Sequence, residues 1–224
     1  MQQNIVIIGS CRSGHNFVRE QIETWDKKNK YLIFNADDYN PIAGSPEDLN
    51  AKGIPIDIEK PTTAIVVIRG LLNWWASYVM WITDHGTRPI SANNAFNIMQ
   101  AWKGMVKARE SKQLIGKDTL YIKYEDFTIN LLTRRRTAMA LGLDWDDGNV
   151  NNRSRQGRGS TFEGWLDVGN REDTQQRYKQ ITNSKVKSLF EDTLKARPDL
   201  IELYKHHWDP TKDELQYIEG HLAI

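Results

Sequence analysis

The octapeptide Gly9-Ser10-Cys11-Arg12-Ser13-Gly14-His15-Asn16 joins the apolar run Ile5 to Ile8 to a segment with helical spacing. A strand, a glycine turn and a helix N-terminus together present backbone N–H groups and a favourable dipole to an anion. The Gly-x4-Gly spacing is that of the ATP-binding loop, which continues with Lys, reaching the β- and γ-phosphates, and Ser or Thr, holding Mg²⁺. His15 and Asn16 stand in those places, so phosphoryl transfer from ATP loses two of its main electrostatic supports. A glycine turn with no ligand is the plainer alternative, because two glycines are common between a strand and a helix.

A second place with chemistry follows the run Ile65-Val66-Val67-Ile68, where Arg69-Gly70 leads into a helical segment containing Ser77. An arginine ending a buried apolar strand delivers its guanidinium to the carboxyl edge of a sheet, where α/β proteins bind their ligands. Asn73 reads as the cap of that helix, which leaves Ser77 one turn inside and able to share a phosphate with Arg69. A surface salt bridge would account for Arg69 as well.

The elements that must position these residues alternate. Strands are predicted at Asn4–Ile8, Tyr31–Phe34, Ala64–Ile68 and Thr119–Lys123, and helices at Asn16–Lys28, Asn73–Thr83, Ala92–Glu110 and Leu131–Leu141. That alternation specifies an α/β protein, a parallel β-sheet flanked by helices. Past residue 142 a Gly-, Asn- and Arg-rich stretch runs to Asn170, followed by helical patterns at Asp173–Ile181, Lys185–Lys195 and Asp199–His206. The expectation is one domain over residues 1–224, its C-terminal helices packed on the sheet. The connection Ala36 to Pro61, punctuated by Pro41, Pro46 and Pro55, is long enough to be a functional cover.

Composition narrows the function classes. The 224 residues carry 30 Lys+Arg against 29 Asp+Glu, a formal charge of +1, which removes the electrostatic case for nucleic-acid coating. The single cysteine, Cys11, forms no intrachain disulfide and suits a reducing compartment, so a cytoplasmic location is expected. The aromatic stretch Leu71 to Ile82 is too short to cross a bilayer, which takes about 20 apolar residues, so no membrane association is expected. Trp74, Tyr78 and Trp81 recur at i, i+4 and i+7, the pattern of a core-facing helix. Arg134-Arg135-Arg136 reads as a solvated helix face, and His206 and His207 as cations suited to a helix C-terminus.

Taken together, these residues resemble the sulfotransferases that use 3′-phosphoadenosine 5′-phosphosulfate (PAPS). Cys11-Arg12-Ser13-Gly14-His15-Asn16-Phe17 resembles that family's 5′-phosphosulfate loop, a Lys or Arg followed by Ser-Gly-Thr-Thr and an aromatic. Arg69 with Ser77-Tyr78 is similar to its 3′-phosphate motif, and Leu120 to Phe127 to its strand ending in Tyr-Glu-Asp. Arg155-Gln156-Gly157, with Trp165 and Arg171-Glu172-Asp173 downstream, is similar to its Arg-Lys-Gly loop and the tryptophan and helix after it. The motifs occur in the family's order across residues 4–208.

The resemblance implies a P-loop-like core and a metal-free in-line transfer of sulfonate from PAPS to a hydroxyl or amine, leaving 3′-phosphoadenosine 5′-phosphate (PAP). It implies that Arg12, Ser13, Gly14, His15 and Asn16 hold the 5′-phosphosulfate, and that Arg69, Ser77, Arg155, Gln156 and Gly157 clamp the 3′-phosphate. Phe17 would stack on adenine and Tyr124 would bond its edge. Arg12 would steady the charge on the departing phosphate. His15 stands where the family has threonine; it either donates to the phosphosulfate or simply caps the loop. The family's cytosolic branch takes its base from a Lys-Thr-His segment, but residues 36–63 contain no histidine. Other branches use an acid after the second strand, where Asp37 and Asp38 lie. Asp37 is the candidate general base, with Glu59 and the Asp84-His85 pair in reserve, and solvated loop carboxylates are the plainer reading. The acceptor is a small molecule, sugar or peptide. A nucleotide-binding protein of the same fold without catalysis, and a P-loop kinase-like phosphotransferase, are the alternatives.

Overall fold

A computed structural model describes residues 2–37, 56, 59–85, 92–111, 118–146 and 176–222. It is an α/β structure built on four parallel strands, β1 (Gln3–Gly9), β2 (Tyr31–Asp37), β3 (Thr62–Ile68) and β4 (Asp118–Lys123), in the order β2-β1-β3-β4. The helices are α1 (His15–Trp25), α2 (Leu71–His85), α3 (Ala92–Ser111), α4 (Tyr124–Ile129), α5 (Leu131–Ala140), α6 (Ser184–Lys195), α7 (Pro198–His207) and α8 (Lys212–Tyr217). A 3-10 turn, Arg177–Gln180, precedes α6, and a π turn, Ile218–Leu222, follows α8. No helix among the described residues is long and apolar enough to cross a membrane. The chain divides into two compact units, Met1–Ile68 with Gly104–Arg158, and Arg69–Lys103 with Gly159–Ile224.

The first unit holds the sheet. Ile5, Ile7, Ile65, Val67 and Ile122 pack with Val18, Ile22 and Trp25 of α1 and with Phe127 and Ala138. Their neighbours Val6, Ile8, Ala64, Val66 and Ile68 are equally buried. Strands covered on both faces must be apolar at every position, which is why β1 and β3 read as unbroken hydrophobic runs. Helix α1 ends at Trp25 rather than Lys28, because the Asp26 carboxylate accepts from the backbone N–H groups of Lys30 and Tyr31 and turns the chain into β2. Helix α5 closes on Gly142 at φ 61°, with Leu143 N donating back to Ala138 O at 2.9 Å, a Schellman ending.

One surface expectation is corrected here. Arg135 and Arg136 are exposed, but Arg134 is 4 % exposed and donates through Nη1 to the carbonyls of Phe127 and Thr128, both at 2.9 Å. Its guanidinium satisfies the last turn of α4, whose carbonyls have no partner within that six-residue helix.

The second unit is an aromatic-cored bundle. Trp74 and Tyr78 of α2 are buried, as the i, i+4 spacing implies, but Trp81, at i+7, is only half-buried, and Trp75, off that stripe, is wholly buried. Trp74 stacks on Trp102 of α3 at 6.4 Å, and Trp102 meets the Tyr204 ring edge at 6.3 Å. The Trp75 indole N–H donates to Thr193 Oγ1 of α6 at 2.7 Å. Helix α8 opens with a capping box between Thr211 and Glu214.

At the start of α7, Asp199 accepts from both Nε and Nη2 of Arg197 and from Lys103 Nζ. The hydrogen bonds from Arg197, then those from Lys103, hold its carboxyl well below its ordinary value of 3.8. A carboxylate with a lowered pKa stabilises the fold above its ordinary value and loses that contribution as pH falls through it. The gap in melting temperature between wild type and Asp199→Asn therefore closes as pH drops below 3.8, and a gap that stays constant from pH 6 to 3 would contradict the assignment.

Candidate functional site

All four strands run the same way, so their carboxyl ends share one edge of the sheet. Register places Gly9 of β1 beside Asp37 of β2 on one side and Val67 of β3 on the other, and Ile68 beside Lys123 of β4. The chain leaves β1 toward β2 and leaves β3 toward β4, so the winding reverses between β1 and β3. Ligands of open α/β sheets bind outside the carboxyl ends of such a pair. The residues that follow these two strands are Ser10 after β1 and Arg69 after β3.

The turn after β1 is built around left-handed backbone. Arg12 has φ 68° and Gly14 φ 89°, and Ser13 N closes the turn on Ser10 O at 2.9 Å. Gly14 is the N-cap of α1, no side chain caps that helix, and its first turn holds no acid. The positive end of the α1 dipole is therefore presented through the turn itself. Glycine is required twice. A Cβ on Gly14 would run into the Tyr124 ring, and one on Gly9 would meet Ser13 Oγ and lie 2.9 Å from His15 Nδ1. The Ser10 hydroxyl is buried in this turn and makes no hydrogen bond. A buried, unbonded hydroxyl is costly unless a ligand or solvent supplies its partner.

The other residues of the turn are tied to their neighbours. His15 is 4 % exposed and shares a 3.0 Å hydrogen bond between its Nδ1 and Ser13 Oγ. Asn16 Oδ1 accepts from Asn35 Nδ2 of β2. Phe17 and Tyr124 pack edge-on at 6.4 Å, and Phe17 also meets Phe127 at 6.1 Å. The first unit thus gathers Arg12, Ser13, Gly14, His15, Asn16, Phe17 and Tyr124 around one turn, with Asp37 closing the adjacent strand.

The second unit gathers a different set. Arg69 is 3 % exposed, and its carbonyl accepts from the Trp102 indole N–H at 2.8 Å. Helix α2 begins at Leu71, with Trp74 N bonded to Gly70 O, so Asn73 lies inside the first turn and does not cap it. Its amide is used elsewhere: Oδ1 accepts from Arg177 N at 3.0 Å, and Nδ2 donates to Glu214 Oε1 at 3.4 Å. Ser77 is wholly buried, one turn further on, and its Oγ accepts from Arg177 Nη1 at 3.2 Å. Arg177 lies within Asp173–Ile181, which the sequence marks only as helical, and its local spacing gives no sign of Asn73 or Ser77 as partners.

Asp38, Arg155, Gln156, Gly157, Trp165, Arg171, Glu172 and Asp173 lie outside the described residues. Asp37, Asp84 and His85 are described as backbone positions, the first ending β2 and the other two ending α2. Glu59 is exposed. No family model, curated protein or solved structure matches the chain.

Proposed function

We propose that the chain is a sulfotransferase that takes sulfonate from PAPS and passes it to a hydroxyl or amine of a small molecule, sugar or peptide. The observation that carries the reading is the Ser10–Gly14 turn. It combines left-handed backbone at Arg12 and Gly14, an α1 N-terminus without a side-chain cap, and a buried Ser10 hydroxyl that makes no hydrogen bond. Those features suit an anion, and the residues present fit the 5′-phosphosulfate of the donor.

The turn and Arg12 would hold that end. Arg69 and Ser77, together with Arg155, Gln156 and the N–H of Gly157, would hold the 3′-phosphate, while Phe17 and Tyr124 would border the adenine. The donor supplies the sulfonate: its bond from sulfur to the 5′-phosphate oxygen breaks as sulfur bonds the acceptor, and PAP departs. Arg12 offsets the charge that collects on the departing phosphate. Asp37, at the carboxyl end of the strand beside β1, would take the acceptor's proton. A protein with one cysteine and this donor suits the cytoplasm.

Titration calorimetry in EDTA tests the reading. PAP is expected to bind, and Arg12→Gly should weaken it by about 1.5–3 kcal/mol, the loss of one charged hydrogen-bonding partner. The same substitution should raise stability by roughly 1 kcal/mol, because glycine adopts a positive φ without the Cβ penalty. Stabilisation by ATP with Mg²⁺ and none by PAP would point to phosphoryl transfer. Tight PAP binding without sulfonate transfer to any of a panel of phenols, sugars and peptides would mark a nucleotide-binding protein instead.

A further inference from the structure

We infer that the exposed face of α5 is a docking surface for an amphipathic helix of a partner protein, one that carries carboxylates between two apolar turns. Helix α5 is inside out. It turns Arg134, Thr137 and Ala138 into the protein, because Arg134 reaches the carbonyls that end α4 and Ala138 fits the core beneath the sheet. Its large apolar side chains face outward: Leu131 is 45 % exposed, Leu132 55 % and Met139 67 %, with Ile129 just before the helix at 52 %. A single exposed leucine needs no explanation, but several gathered on one short helix mark an interaction site.

The pattern specifies the occupant. Leu131, Arg135 and Met139 follow one another at four-residue steps, and Leu132, Arg136 and Ala140 run beside them, all exposed. Two parallel rows of this kind receive a ridge of a second helix in the groove between them. Each row is apolar at its ends and cationic in the middle. The helix carries no acid, and the acids that follow it are engaged, Asp144 with Lys28 at 3.7 Å and Asp146 with Lys27 at 3.3 Å. A complementary helix has carboxylates at its centre and apolar residues a turn to either side, so that each arginine fork meets an oxyanion as the side chains pack. A second copy of α5 does not fit: the antiparallel register that sets Leu131 against Met139 also sets Arg135 against Arg135. Nor does a bilayer, because interfacial helices keep their basic residues on the face opposite the apolar one, whereas here the arginines interrupt the apolar stripe.

The experiment measures binding of the full chain to labelled peptides by fluorescence anisotropy. The probe is a blocked peptide of about 18 residues, long enough to hold a helix, presenting Leu-Leu, Glu-Glu and Leu-Leu at successive four-residue steps. A control peptide has Gln-Gln in the middle. Wild type is expected to bind the glutamate peptide about fivefold or more tighter than the control, the yield of two exposed ion pairs, and the margin should shrink between about 0.05 and about 0.5 M NaCl. Arg135→Gln with Arg136→Gln should bind the two peptides equally. Leu132→Ser with Met139→Ser should lose about tenfold or more for both. All four positions are exposed, so melting temperatures should stay near that of wild type, and either variant carries the test if the other does not fold. No binding of the glutamate peptide by wild type, or an undiminished margin in the arginine variant, overturns the inference. A dimer in sedimentation that Leu132→Ser dissolves assigns the face to a second copy, and pelleting with phosphatidylserine vesicles without peptide binding assigns it to a membrane; either result also overturns it.

Discussion

Gly14→Ala is expected to lower the stability of the protein by about 2–6 kcal/mol and to abolish PAP binding. The strain of a non-glycine residue at positive φ accounts for about 1–3 kcal/mol of that, and displacing a packed ring for about 1–3 more. Both sources are present: φ is 89°, and the added Cβ would overlap the Tyr124 ring. The two separate in a double-mutant cycle. Tyr124→Ala alone removes a half-buried ring that packs on Phe17, but in the Gly14→Ala background it should recover the steric part and not the backbone part. A coupling of about 1–3 kcal/mol measured by chemical denaturation would match this division. A Gly14→Ala protein that melts with wild type would show that the turn is not held as described.

Trp102→Ala should cost about 3–5 kcal/mol, the range for emptying a buried large aromatic site. The ring lies among Trp74, Tyr204 and Trp208. It also bonds the carbonyl of Arg69, so the substitution releases a residue of the proposed phosphate site that Trp102 supports only through the backbone. PAP affinity should therefore fall along with stability. Trp102→Phe keeps most of the packing and loses the bond; it should recover much of the stability and less of the affinity. Equal recovery of both would mean that the indole N–H does not position Arg69.

Much of the sheet was legible because apolar strands covered on both faces leave no room for polar residues, as in Ile5–Ile8 and Ala64–Ile68. Strand β2 was read short. Asn35 and Asp37 look like loop residues, yet β2 is an edge strand, where polar side chains are tolerated, and Asn35 bonds Asn16 of α1. Helix α4, only six residues long and starting directly from β4, has too few turns to show a period. Helix α8 did carry a signal, the Thr211-x-x-Glu214 capping box, which periodicity alone passes over. At the site, the tight turn between β1 and α1 was visible from Gly9 and Gly14. Asn73, Arg134 and Arg177 were not legible as they are, because each bonds partners far along the chain or beyond its own helix, and local spacing has no access to such pairings.

The interleaving of the two units sets the order in which the sheet can assemble. Strands β1, β2 and β3 all precede Arg69, but β4 follows the whole stretch Arg69–Lys103, which belongs to the other unit. Pairing β4 against β3 therefore closes a long loop, and contacts of high sequence separation form slowly. During synthesis the ribosome releases three strands of the sheet well before the fourth, leaving the β3 margin unpaired for that interval. Neither unit is a continuous piece of chain, so no single cut yields one of them intact.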